Sequence, residues 1–196
     1  AIERQDKIKF IAATREDGAA FMASYEARVT GKIAVCAAGA GPGAASLLNG
    51  LADAFMDGIP VLAITGQVET KNISASAKQY FDQQSLFRTF SGHTAIITDP
   101  GNVTRELVTA VRYAYLKLST AHISIPKDLL TKTVASETVP ACRVEIKTPP
   151  PVSGNPEKVL AAARQSQKPL IVLGRQAKTV ISQALKLADQ IGAGLI

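Results

Sequence analysis

With 196 residues, 46% of them apolar, the chain has ample material for the core of an α/β protein. Its net charge of +6 invites a nucleic-acid partner, yet Lys and Arg are scattered, and the aromatic residues, only 5%, never alternate with them as a base-stacking platform requires. The composition therefore points to a solvated basic surface with no nucleic-acid partner, and no apolar run approaches the ~20 residues of a bilayer span.

The first ten residues lack a signal-peptide layout, so a cytoplasmic home is expected. Cys36 and Cys142 show no metal spacing, and Cys36, ending an apolar strand pattern, reads as a small buried hydrophobe. His93 and His122 both lie beside strand patterns, which argues against a zinc cluster.

In chain order, Lys7-Ile-Lys-Phe-Ile-Ala-Ala13 reads as a short strand. Thr14 is placed as an N-cap, with Asp17 three residues on, for a helix over 16–30 that Gly31 stops. Phe21, Met22, Tyr25 and Val29 recur at helical spacing and are assigned to the core. Residues 32–37 form a strand and 44–57 an Ala- and Leu-rich helix stopped by Gly58. Residues 60–65, apolar but for Thr65, read as a strand covered on both faces, as in a parallel sheet. Residues 68–84 are polar and aperiodic, a loop or short helix at the mouth of a site. Strand 94–98, helix 102–118 and strand 122–126 follow, and the alternation predicts a doubly wound parallel sheet.

Composition breaks at Lys147-Thr-Pro-Pro-Pro-Val-Ser-Gly-Asn-Pro156, which is taken as a stiff linker. The expected domains are therefore 1–146, a linker at 147–156, and the beginning of a second α/β domain at 157–196. In that second part a helix is expected over 157–165, a strand over 169–173, a helix over 179–191 and a stub over 193–196. About 40 residues is below the size at which a lone core is usually stable, so the chain is expected to be a piece of a longer one.

Two features invite chemistry. Gly39-Ala-Gly-Pro-Gly-Ala44 follows a strand and opens a helix, matching the G-x-G-x-x-A phosphate loop of dinucleotide-binding folds. However, a helix precedes that strand, and the next strand ends in Gly66-Gln67 instead of an acid, leaving Glu69 to reach a ribose only by a loop excursion. A plain tight turn explains the same letters. Glu16 is the second feature: an acid followed by small and apolar residues. On local pattern alone it belongs in a solvated first turn, where the helix dipole favours a carboxylate.

Taken together, the pieces are more specific. Glu16-Asp-Gly-Ala-Ala-Phe-Met-Ala, Thr30-Gly-Lys, Val35-Cys, Gly41-Pro-Gly, Asn49-Gly-Leu-Ala-Asp-Ala, Asp57-Gly-Ile-Pro-Val-Leu-Ala-Ile-Thr-Gly-Gln67 and Ile125-Pro-Lys-Asp128 stand in one order at one set of spacings. The stretch resembles the pyrimidine-binding domain of thiamine-diphosphate enzymes of the acetolactate synthase and pyruvate oxidase group. It runs from about Lys7 to Asp128 and continues weakly past Pro156.

The resemblance implies thiamine diphosphate as cofactor. Glu16 aligns with the carboxylate that hydrogen-bonds N1′ of the aminopyrimidine in a poorly solvated pocket, which helps remove the proton from the thiazolium C2. Gly41, Pro42 and Gly43 match the turn lying against the pyrimidine ring. Gln79 falls on the middle of the family's Phe-Gln-Glu and is kept as an active-site polar group, while Lys78 replaces its aromatic residue. Where the group often has Arg-His-Glu, this chain has Thr14-Arg15-Glu16.

The family's Gly-Asp-Gly…Asn signature, which holds Mg²⁺ and diphosphate in a separate C-terminal domain, is absent here, so these residues alone are expected to be inactive. A homodimer or homotetramer with the site at the subunit interface is implied. FAD in the oxidase and synthase branches would sit on the second domain, with Arg175, in the glycine turn Gly174-Arg-Gln-Ala, as its contact. The substrate implied is a small 2-oxo acid such as pyruvate. Phe21-Met-Ala-Ser-Tyr-Glu-Ala and Gln84-Ser-Leu-Phe-Arg lean towards pyruvate oxidase, with an acetolactate synthase-like carboligase as the alternative. A non-catalytic nucleotide-binding or structural module is the alternative of another class.

Overall fold

The first helix starts at the acid that the sequence singles out. Residues 6–133 and 155–196 are described by the computed structural model. The chain divides into two compact units, Ala1–Ile146 and Lys147–Ile196.

Helix α1 (Glu16–Thr30) ends at Gly31, whose φ of 68° lets its N–H return to the Ala27 carbonyl. The N-cap is Arg15, not Thr14, and no side chain caps the helix. Asp17 serves the first turn instead: it accepts the Gly18 N–H at 2.8 Å and two bonds from the Arg15 guanidinium at 3.0 and 2.8 Å. That pairing holds its carboxyl below the usual range. The strand expected over 7–13 is not formed. Those residues are irregular and exposed, with Ile8, Phe10 and Ile11 at the surface.

Strand β1 (Ala34–Ala38) leads into the glycine turn and α2 (Pro42–Ser46), then α3 (Leu48–Met56). The helix expected over 44–57 thus begins two residues earlier, since Pro42 is pre-organised for a first helical position. It also breaks at Leu47, whose N–H turns back to the Ala44 carbonyl at 3.2 Å. Strand β2 (Val61–Gln67), short helix α4 (Gln83–Phe87), β3 (His93–Ile96), α5 (Val103–Lys117) and β4 (Thr120–Pro126) complete the unit. Its four strands run β1-β2-β4-β3, every pair parallel.

Side chains alternate across this sheet with the period of two that a strand imposes. Val61 and Ala63 join α1, α2, α3 and Phe87 on one face, while Leu62, Ala121 and Ile123 join Ala110 and Ala114 of α5 on the other. Helices therefore cover both faces, the doubly wound arrangement. Cys36 is buried on the first face as a free thiol, and desolvation pushes its pKa up to about 12, so it packs as a hydrophobe.

One core assignment is overturned. The buried stripe of α1 is Ala20, Ala23, Ser24 and Ala27, whereas Phe21, Met22, Tyr25 and Val29 face outward, Val29 being 85% exposed. Close approach explains it: α1 lies on α3 at Gly50, where an added Cβ would stand 2.5 Å from the Phe21 nitrogen, so only small side chains fit between the two helices. Polar groups seal the outer end of this contact. Arg28 pairs with Asp53 at 2.8 Å and with Asp57, and Ser24 donates to Asp53 at 2.8 Å.

In the second unit, α6 (Pro156–Gln165) is capped by Asn155, whose side chain accepts the Glu157 and Lys158 N–H groups at 3.0 and 3.3 Å. Strand β5 (Leu170–Ile171) pairs in parallel with β6 (Gly194–Leu195), and α7 (Ile181–Ile191) lies between them in sequence. The helix expected over 179–191 starts at Ile181 because a 3₁₀ segment, Arg175–Val180, precedes it. Residues 147–154 of the expected linker, and Cys142, lie outside the described residues.

Candidate active site

At the carboxyl end of the sheet the structure brings five of the residues singled out by sequence into one place. Gly41 is the N-cap of α2 with φ 71° and ψ −130°, a backbone that side-chain-bearing residues rarely adopt. A Cβ on Gly41 would stand 2.8 Å from the Gln79 Cβ, so the glycine is what admits Gln79 against the turn. Gln79 itself has φ 70°, and Ser74 has φ 67°, two non-glycine residues in the left-handed region on one loop. Strain of this kind persists where surrounding contacts impose it, and it clusters at functional sites.

On the other side of the same turn, Glu16 reaches Gly43. Its Oε1 lies 3.0 Å from the point where a Gly43 Cβ would stand, so any larger residue there would press on the carboxylate. Pro42, between the two glycines, is the first residue of α2. In this single chain Glu16 is exposed, as its local pattern alone implies. It occupies the first helical position, with Gly43 of the turn beside its carboxylate. The neighbouring Arg15 turns away to pair with Asp17 at 2.8 Å, its side chain 79% exposed.

A cleft of about 260 Å³ opens beside this turn, lined by Ala40, Gln67, Val68, Glu69, Asn72, Gln79 and Lys127. Its floor is the end of β2. Gln67 is nearly buried and internally satisfied, its amide donating to the Phe81 carbonyl at 3.2 Å and accepting the Val68 N–H at 2.9 Å. Glu69, considered above for a ribose, is paired with Lys71 at 3.0 Å. Lys78 is exposed and is not among the lining residues. Sequence reasoning missed Lys127 as a site residue; the available signal was its position directly after a buried strand.

Behind the cleft lies a sealed polar knot. Gln83 Nε2 donates to the Gly66 carbonyl at 2.9 Å, which fixes the amide so that its Oε1 accepts from the Thr65 hydroxyl at 2.5 Å. His122 must then donate from Nε2 to Thr65 Oγ1 at 2.8 Å and accept at Nδ1 from Thr94 Oγ1 at 2.8 Å. Phe87 stacks on the imidazole at 3.7 Å, and burial drives the His122 pKa down to about 3, so the ring is neutral. The knot ties α4, β2, β3 and β4 together just below Gly66 and Gln67.

Among the described residues no group of three His, Cys, Asp or Glu could hold a metal ion, so these residues do not fit an Mg²⁺ site. No described helix is long and apolar enough to cross a membrane. Arg175, the expected FAD contact, has its backbone in the 3₁₀ segment, but its side chain lies outside the described residues.

Comparison with known proteins agrees with this geometry. Residues 1–86 match the family described as thiamine pyrophosphate enzyme, N-terminal TPP binding domain. The chain is 33% identical over 199 residues to YdaP of Bacillus subtilis, whose name describes it as thiamine pyrophosphate-containing; the match covers 98% of this chain and 34% of that one. It is 34% identical over 177 residues to an acetolactate synthase of Arthrospira platensis, covering 88% of this chain and 31% of that one. It is 30% identical over 191 residues to the acetolactate synthase isozyme 1 large subunit of Escherichia coli, covering 97% and 34%. The chain spans about a third of the length of these relatives. It belongs to the thiamine-diphosphate enzymes of the acetolactate synthase and pyruvate oxidase group.

Proposed function

We propose that this chain supplies the pyrimidine-binding side of the active site in an enzyme that joins two molecules of a 2-oxo acid such as pyruvate with loss of CO₂, as in acetolactate synthesis. The observation that carries the reading is the Glu16 carboxylate held against Gly43 of the Gly41-Pro42-Gly43 turn. The thiazolium of thiamine diphosphate, when bound, supplies the carbanion equivalent and the electron sink that such chemistry needs.

The residues do the rest. The missing side chains at Gly41 and Gly43 let Gln79 and Glu16 come up against the one turn, and Glu16 presents an acceptor there. A carboxylate there holds or exchanges a proton with a ring nitrogen, which requires hydrogen-bond reach before any question of acidity. Gln79 offers a carboxamide on the other side of the turn. Pairing with a second subunit, as homodimer or homotetramer, would exclude water from Glu16. The outward apolar stripe Phe21, Met22, Tyr25 and Val29, on the same helix as Glu16, supports that step. Mg²⁺ and the diphosphate would be held by residues outside those described here.

Carboligation is preferred to oxidation, against the lean drawn above from Phe21–Ala27 and Gln84–Arg88, because acetolactate synthase is the name carried by relatives covering nearly the whole chain. The test is product analysis with the full-length protein, thiamine diphosphate, Mg²⁺ and pyruvate. One acetolactate and one CO₂ from each two pyruvates is expected. Acetate formed with reduction of an electron acceptor, and flavin absorbance in the protein, would move the assignment to the oxidase branch. No cofactor-dependent turnover of any 2-oxo acid would overturn it.

A further inference from the structure

We infer that Lys127 selects the substrate, its ammonium holding the carboxylate of the 2-oxo acid in the cleft beside Gln79. This rests on the function proposed above and names the group that recognises the anion.

Strands β2 and β4 end in register, Gln67 opposite Pro126, so Lys127 is the first residue past the carboxyl edge of the sheet. Doubly wound sheets bind their ligands at that edge. The backbone of Lys127 is pinned on both sides. Pro126 precedes it, and Asp128 follows with its carboxylate accepting the Thr70 N–H at 2.8 Å and the Thr70 hydroxyl at 2.7 Å. The lysine is thus fixed at its base across from the loop that carries Gln79.

Charge within the cleft is distributed unevenly. Glu69 is committed to Lys71, and the Gln67 amide is satisfied at both ends. The Lys127 ammonium and the Gln79 carboxamide, by contrast, make no hydrogen bond or ion pair to another described residue. A cation and an amide donor facing a cleft of about 260 Å³ match a small carboxylate with a second oxygen beside it. Lys78 lies on the same loop as Gln79 but outside the lining, so the charge that faces the ligand is that of Lys127.

The experiment is steady-state kinetics of full-length Lys127→Met against wild type, with calorimetric titration of thiamine diphosphate plus Mg²⁺ on both. Loss of a charge-assisted contact should raise KM for pyruvate about 10- to 100-fold. The kcat and the cofactor Kd should stay within a few-fold. Lys127→Arg should recover most of the KM, and methyl pyruvate, which has no carboxylate and cannot lose CO₂, should inhibit wild type and Lys127→Met equally. An unchanged KM would overturn the assignment of Lys127 while leaving the proposed function intact. A cofactor Kd that weakens in step with KM would place the lysine on the cofactor instead. Wild-type protein that binds the cofactor yet turns over no 2-oxo acid would overturn both.

Discussion

The two polar regions of the first unit differ in what they leave undone. The knot around His122 lies inside the sheet, and each of its polar atoms has a partner: Thr65, Thr94, Gln83 and the Gly66 carbonyl bond one another through the imidazole. The mouth above it is built from the same strands but ends in groups that meet no described partner, the Gln79 amide and the Lys127 ammonium. Its backbone is strained at Gln79 where the knot's is regular. A buried polar cluster with every bond made rigidifies a fold, and an incomplete one beside glycines is what a ligand can complete.

Perturbing each region separately should sharpen that contrast. The largest effect on stability is expected from His122→Ala, which strands the Thr65 and Thr94 hydroxyls and leaves a void beneath Phe87. It should cost about 3 kcal/mol or more, read by urea denaturation. In the wild type, the imidazole gives stability a pH dependence of known sign. The unfolded chain takes a proton below the ordinary histidine value of 6.5, whereas the folded ring refuses it until about pH 3. Stability should therefore be full above that ordinary value and decline on acidification through the window, by at most about 1.4 kcal/mol per pH unit. His122→Ala should lose that slope.

Gly41→Ala addresses the mouth. It forces a Cβ into a left-handed backbone and against Gln79. Strain of about 1–3 kcal/mol should appear as weaker thiamine diphosphate binding in calorimetry, with the melting temperature moved far less than by His122→Ala. The smallest effect belongs to Asp128→Asn. Hydrogen bonds from Thr70 hold the Asp128 carboxyl below the usual range. Releasing them should speed hydrogen exchange at the Thr70 amide without shifting the melting temperature. If Asp128→Asn unfolded the domain, or His122→Ala left it unchanged, the division between sealed knot and open mouth would be lost.

What the sequence discloses follows from the same physics. Helix α1 is legible to the residue because Gly31 must end it, and the parallel sheet is legible because residues 60–64 are apolar on both faces. Which side of α1 turns inward is not legible: Phe21, Met22, Tyr25 and Val29 obey the helical period, but so do Ala20, Ala23 and Ala27, and only the approach of Gly50 decides between them. Residues 7–13 look like a strand by local pattern, yet they are irregular and exposed. The His122 knot is assembled from residues 28 and 57 positions away, and Lys127 reads locally as surface charge. Glu16, Gly41, Gly43 and Gln79 were singled out through the resemblance and lie together, and the exposure of Glu16 is what its local pattern alone implies.

The account turns on the carboxylate at position 16, and turnover by full-length Glu16→Gln, loaded with thiamine diphosphate and Mg²⁺, tests it most directly. With the acid replaced by its neutral isostere, cofactor binding should persist in calorimetry, while consumption of pyruvate falls about 10²–10⁴-fold, the range of a lost proton-transfer group. Turnover within a few-fold of wild type would contradict the account and leave Glu16 as a solvated first-turn acid.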